Sequence, residues 1–263
     1  MTKPANIPPN VEVIASVRSG YAFMRDNFEY LLKSALIPMI VGFLNYMAVS
    51  FFWEDESIFE NFLATLPTTI FFAWYAFIQI RLQVFDEKHT NLSALLPKDY
   101  DNRQKALVAC ISLYILFQMF LTVISYVIML VSTEAADQET LETYQVFEFV
   151  FLAATVLWAL KFSVLHIVVS VEAGIKDFLK RVRGIWFSYT ILAIGFMSLM
   201  PLILLFMFML GLILPDPEGA ERTATFVIYA VGTVMTWMMI TVLNASIVPA
   251  LKQLYSKKGL PKK

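Results

Sequence analysis

The sequence predicts an all-α, polytopic membrane bundle: six transmembrane helices with interfacial amphipathic helices, all in one integral membrane domain over 1–263. Three observations predict it. Hydrophobic residues make up 59% of the 263 and charged residues 16%, against about 45–50% and about 25% in soluble domains, and mean hydropathy is +0.67. The apolar residues gather into six runs, each longer than the ~20 residues that cross a hydrocarbon core. The charges are sorted by connection, cations in the segments before odd-numbered spans and in the tail, carboxylates alone in most of the short hairpins between them.

The start, MTKPANIPPN, is polar and proline-rich and does not read as a cleaved signal peptide. Ile14, Val17, Tyr21, Met24, Phe28 and Leu31 then recur at spacings of three and four, which predicts an interfacial amphipathic helix over 11–30. Span 1 covers about 31–52. Its Pro38, Gly42 and Asn45 are tolerated where neighbouring helices re-satisfy the freed polar groups. Glu54, Asp55, Glu56 and Glu60 mark a short acidic hairpin before span 2, about 62–84. A second interfacial segment, 86–103, holds Leu92, Leu95 and Leu96 and is stopped by Pro97. Span 3 runs over about 105–131 with Gln118 near its middle. After an acidic loop, span 4 covers about 144–168 and carries Lys161 and His166. A third interfacial segment, 172–187, leads to span 5, about 189–214, and then to an acidic turn. Span 6, about 223–249, contains Asn244 and ends in a basic tail. The order of amphipathic segment, span, acidic hairpin and span occurs three times, so any repeat is parallel rather than inverted.

The third amphipathic segment is the most informative. With Ile175 at zero and ~100° per residue, Phe178, Leu179, Val182, Ile185 and Trp186 fall in one arc, with Lys176, Asp177, Lys180, Arg181 and Arg183 opposite. A helix of this kind lies flat in the membrane interface with its cations toward the headgroups. Lys176, Lys180, Arg181 and Arg183 are therefore candidates for binding anionic lipid headgroups, at ~1 kcal/mol per cation. Eighteen of the twenty Lys and Arg residues fall on the side of this elbow and the two termini, which places both termini in the cytoplasm by the positive-inside rule.

Among intramembrane polar residues Lys161 stands out. It lies more than ~15 Å of helix from Glu172, and a central lysine costs ~2.5–3.5 kcal/mol to insert. It is expected to face the bundle interior, as an ion, substrate or lipid contact, or in a pair with a carbonyl, Gln118 or Asn45. His166 fits a proton path or a polar contact near the inner interface. Asn45, Gln118 and Asn244 suit interhelical hydrogen bonds worth ~0.6 kcal/mol each, and the same residues suit the lining of a path. Cys110, the single cysteine, reads as a small buried hydrophobe. His89 and His166 are too far apart in sequence for a Cys/His metal cluster. No phosphate-binding, zinc-hydrolase or serine-hydrolase motif occurs, and the spans show no nucleophile with a base. Catalytic residues, metals, cofactors and nucleic-acid partners are accordingly not expected. The expected role is to organise membrane lipid or a membrane-protein partner. Its rival is a permease for a lipid-like or small amphipathic solute, and convergence of Lys161, Asn45, Gln118 and Asn244 on one cavity would favour the permease.

The stretch VSVEAGIKDFLKRVRGIWFSYTIL, Val169 to Leu192, resembles the bacterial YciC-like multi-span proteins. More distantly it resembles the membrane domain attached to some glycerophosphodiester phosphodiesterases. Glu172-Ala173-Gly174 matches the glutamate-glycine type of turn that leads into their basic elbow. The chain departs from them at Arg181-Val182-Arg183, where relatives often carry a basic-serine pair, and in its longer 86–103 connection. The resemblance implies a bacterial inner-membrane location and no catalysis, the phosphodiesterase domain having no counterpart in this sequence.

Overall fold

A computed structural model describes residues 11–52, 58–88, 101–133, 154–182, 184–213 and 221–255. Every regular element among them is helical: α1 Val13–Asp26, α2 Phe28–Phe52, α3 Ile58–Phe85, α4 Asp101–Thr133, α5 Ala154–Ser170, α6 Ile175–Arg181, α7 Trp186–Ile213 and α8 Glu221–Tyr255. Five of these, α2, α3, α4, α7 and α8, are long and apolar enough to cross a membrane. The first part of span 4, residues 89–100 of the second interfacial segment, Arg183, most of the acidic hairpin residues and the tail beyond Tyr255 lie outside the described residues.

Side-chain register sets the helix directions. Tyr75, Gln79 and Gln83 of α3 meet Thr241, Thr241 and Ala245 of α8 in ascending order, so α3 and α8 are parallel. In α4 the order reverses: Cys110 reaches the carbonyl of Ala73 and Arg103 reaches Glu87. The order also reverses from α7 to α8, with Gly195 beside Leu243 and Arg181, just before α7, on the carbonyl of Leu254. α1 and α2 run antiparallel along almost the whole of α8. Glu12 N donates to Gln253, Phe28 stacks edge-on with Trp237, and Phe43 meets Phe226. Both ends of the described chain thus meet at one end of the bundle. α4 and α7 also start there, and α5 ends there, with the carbonyl of Ser170 on Arg81.

Burial is uneven along this axis. At the end where the helices converge, the hub, Val17, Ile80, Val164, Ile167, Phe178, Phe187 and Leu251, from six helices, share one buried cluster. Toward the other end, Leu44, Val123, Phe196, Phe208 and Phe226 are each more than half exposed. On α8 the last exposed large apolar residue is Val234; from Met235 to Leu251 every side chain is buried or half-buried. An apolar belt of this extent is stable only against lipid or another apolar surface.

α1 is helical where its stripe predicts a helix, but its buried face is Ser16, Val17, Gly20 and Met24, and Ile14 is exposed. The reason is close approach rather than hydrophobicity. A Cβ on Gly20 would collide with Ser246, whose backbone N and Cα would lie 2.8 and 2.9 Å from it. Only glycine lets α1 sit this close to α8. Tyr21 adds a hydrogen bond of 2.7 Å to the carbonyl of Ser198 on α7, and burial pushes its hydroxyl pKa up, so it remains a donor.

Candidate functional site

Four charges gather at the hub around Arg81, in the last turns of α3 and 2% exposed. Its Nε and Nη2 donate to the two carboxylate oxygens of Glu87 at 2.7 and 2.9 Å. Nη1 donates to Glu172 at 2.8 Å and to the carbonyl of Ser170 at 3.2 Å. Arg103 of α4 closes on Glu87 at 3.3 Å, and Phe85 lies under the guanidinium, 4.7 Å from centroid to Cζ. Two cations and two carboxylates balance, which is the condition under which buried charge is tolerated.

Backbone geometry delivers both glutamates. α3 ends at Phe85, and Asp86 turns into the left-handed region with φ 54°, folding Glu87 back over the last turn. α5 ends the same way. Glu172 has φ 58°, its N–H bonds the carbonyl of Val169 and that of Ala173 bonds Val168, the pattern of a Schellman cap. Glycine is the usual residue at such a position, and a side chain there costs ~1–2 kcal/mol. Here the strained residue is the one whose carboxylate reaches Arg81.

The elbow differs from the continuous helix expected over 172–187. α6 spans only Ile175–Arg181, because Val182 leaves helical geometry and Gly184 takes φ +85°. Phe178 and Val182 are fully buried as the wheel predicts, but Ile175 and Ile185 are exposed. The four basic candidates separate. Arg181 turns inward: Nε bonds Asp177 at 2.9 Å, Nη1 reaches the carbonyl of Leu254 at 3.3 Å, and the guanidinium stacks 4.5 Å from the Tyr255 ring. It pins α6 to the C-terminal end of α8, where a cation also complements the helix dipole. Lys176 and Lys180 stay exposed, one turn apart, bordering a surface depression with Ile175 and Leu179. Arg183 lies outside the described residues.

The intramembrane candidates go to separate places. Asn45 Nδ2 donates to the carbonyl of Ala64 at 2.9 Å, joining α2 to α3 far from the hub. Gln118 is half-exposed on α4. Lys161 sits in a tightened 3-10 stretch of α5, Leu160–Val164, and reaches the carbonyl of Gly184 at 3.4 Å, with neither Gln118 nor Asn45 as its partner. His166 and Asn244 are the pair that does meet. His166 Nδ1 lies 2.7 Å from the carbonyl of Ser163, and Nε2 lies 3.2 Å from the amide of Asn244. A neutral ring that donates through Nδ1 needs Asn244 turned so that its NH2 faces Nε2. That turn also gives Asn244 Nδ2, buried and otherwise unpartnered, its acceptor. These residues do not converge on one cavity.

No family model, curated protein or solved structure matches the chain. The chemistry of the hub and its surroundings is therefore the guide to what the molecule does. Sequence reasoning counted Arg81 only among the eighteen cations on the side of the termini and did not single out Glu87. It also missed the ladder of Tyr75, Gln79 and Gln83 that ties α3 to α8, in which Trp237 donates to the Tyr75 hydroxyl at 2.9 Å and Gln79 to the carbonyl of Thr241 at 2.6 Å. One signal was available: an arginine inside the apolar run FIQIRLQVF, six residues before a glutamate.

Proposed function

We propose that the chain is a non-enzymatic integral protein of the bacterial inner membrane, related to the YciC-like proteins, that organises anionic lipid at its cytoplasmic face through the α6 elbow. In this reading the bundle makes six crossings with both termini cytoplasmic, the belt faces the acyl chains and the hub stands at the inner headgroups. The observation that carries it is the division of labour on α6. Arg181 is spent on holding the helix to α8, while Lys176 and Lys180 are presented together at the surface beside apolar Ile175 and Leu179. Cations that served only to anchor the fold would be drawn inward as Arg181 is. The scattered placement of Lys161, Asn45 and Gln118 supports a packed organiser over a permease.

The test is association of spin-labelled phosphatidylglycerol with the reconstituted protein, compared with matched phosphatidylcholine. Wild type is expected to prefer phosphatidylglycerol at low salt. Replacing Lys176 and Lys180 with glutamine should remove up to ~2 kcal/mol of that preference, and less at physiological ionic strength, where the field decays over ~8 Å. An unchanged preference in the double variant would sink the proposal.

A further inference from the structure

Lys161 remains unexplained by the elbow. Its side chain is buried, the whole residue 7% exposed, and among the described residues no carboxylate accompanies it. An ammonium has three protons to donate, and this one makes a single long hydrogen bond, 3.4 Å to the carbonyl of Gly184. For the rest it rests on rings, 4.6 Å from the centroid of Trp158 and 5.6 Å from that of Phe162. A buried cation so poorly matched is costly and calls for an anion.

The same two rings line a groove of about 280 Å³ between α4 and α5, half open to the surroundings and walled by Leu113, Leu116, Phe117 and Phe120 on the α4 side. The groove is apolar almost throughout. It runs from Leu165 and Leu113, on the hub side, to Thr155 and Phe120, deeper in the belt. Lys161 is not itself in the groove wall; its ammonium lies against Trp158 and Phe162, which are. Gly184, which the ammonium touches, lies two residues before α7 begins; the first amides of that long helix lack intrahelical acceptors and carry partial positive charge. Cationic groups at the hub end and an apolar trough leading into the belt have the polarity of one amphiphile in the inner leaflet.

We propose that Lys161 and the α4–α5 groove form a binding site for an anionic phospholipid, with the phosphate on the Lys161 ammonium and one acyl chain along Trp158, Phe162 and Leu116. The site is separate from the exposed lysines of α6 and does not depend on their role. It differs from them in screening: a buried cation keeps its preference at salt concentrations that abolish that of surface charges.

Native mass spectrometry of the full-length protein in detergent, with equal amounts of phosphatidylglycerol and phosphatidylcholine of matched chains, tests this at 0.5 M salt. Wild type is expected to hold one phosphatidylglycerol about five-fold better than phosphatidylcholine, whose quaternary ammonium offsets its phosphate; that is the worth of one cation beside net-anionic lipid. Lys161→Arg keeps this ratio and Lys161→Gln brings it to about one. The K176Q/K180Q variant leaves it unchanged. Leu116→Trp, at an exposed groove position that leaves the fold intact, lowers occupancy by both lipids. Inorganic phosphate in excess does not compete, since the chain supplies much of the binding. Retention of the ratio in Lys161→Gln, its loss only in the α6 double variant, or full occupancy in Leu116→Trp would each overturn the site. Should Lys161→Gln fail to fold, the Leu116→Trp and α6 arms still decide.

Discussion

The hub and the belt use similar apolar sequence to opposite ends. Phe187 and Phe196 lie on the same helix, nine residues apart, the first fully buried and the second 65% exposed. The hub is held by partners that must match one another: Arg81 with two glutamates, Gly20 against Ser246, Arg181 with the carbonyl of Leu254. The belt is held by hydrophobic matching to whatever surrounds it. Specific structure is therefore concentrated at one end, and a substitution should cost according to where it falls rather than how apolar it is.

The largest expected effect is at Arg81. Replacing it with methionine keeps the bulk but takes from Glu87 its bidentate partner, leaving Arg103 at 3.3 Å, and removes the partner of Glu172. Removing one partner of a buried pair costs ~3–5 kcal/mol, and Arg103 puts the expected loss at the lower end, about 3 kcal/mol. Phe208→Leu, at an exposed belt position, should change stability by less than ~0.5 kcal/mol. Reversible unfolding in mixed micelles, read by tryptophan fluorescence, measures both. Equal losses would erase the distinction between the two regions.

A smaller effect sharpens the account of the hub. Glu172 combines backbone strain with an ion pair, and two variants separate them. Glu172→Gln keeps the strained backbone and gives up the charge. Because the Glu172 side chain is 38% exposed, solvent screens the pair, and the loss is set at ~1 kcal/mol. Glu172→Gly gives up the pair as well but relieves ~1–2 kcal/mol of left-handed strain. The glycine variant should therefore be the more stable of the two by about 1 kcal/mol in the same unfolding assay. The reverse order would mean that φ 58° carries no cost there.

The belt was legible in the sequence because hydropathy alone specifies it: the runs at 31–52 and 189–214 coincide closely with α2 and α7. The hub was not, for three physical reasons. Its residues belong to the same apolar runs, and hydropathy does not say whether Ile80 or Ile247 meets lipid or protein. Its decisive contacts are distant in sequence, Arg81 and Glu172 being 91 residues apart, and a single sequence carries no pairing signal. Its close approaches depend on small residues such as Ser16 and Gly20, which a search for apolar stripes passes over. The elbow failed differently. The wheel assumed one unbroken helix across Gly184, whereas a glycine there permits the left-handed turn that ends α6 and re-aims the chain into α7.

The smallest expected effect asks whether the belt contains any pinning of its own. Asn45 is its clearest specific bond, donating 2.9 Å across α2 and α3 to the carbonyl of Ala64. In a membrane such bonds average ~0.6 kcal/mol, because in the unfolded reference the amide finds other partners. The acceptor loses little, since a helical carbonyl keeps its own backbone donor when the side chain is removed. Asn45→Leu is therefore expected to cost ~0.6 kcal/mol, with no change in the buried α3–α8 contact, which a near-ultraviolet circular dichroism signal with contributions from buried Trp237 and Tyr75 would report. A loss above ~2 kcal/mol, or a changed aromatic signal, would mean that the α2–α3 contact far from the hub also fixes how the helices meet. The belt would then be a second organising centre and not a surface shaped by its solvent.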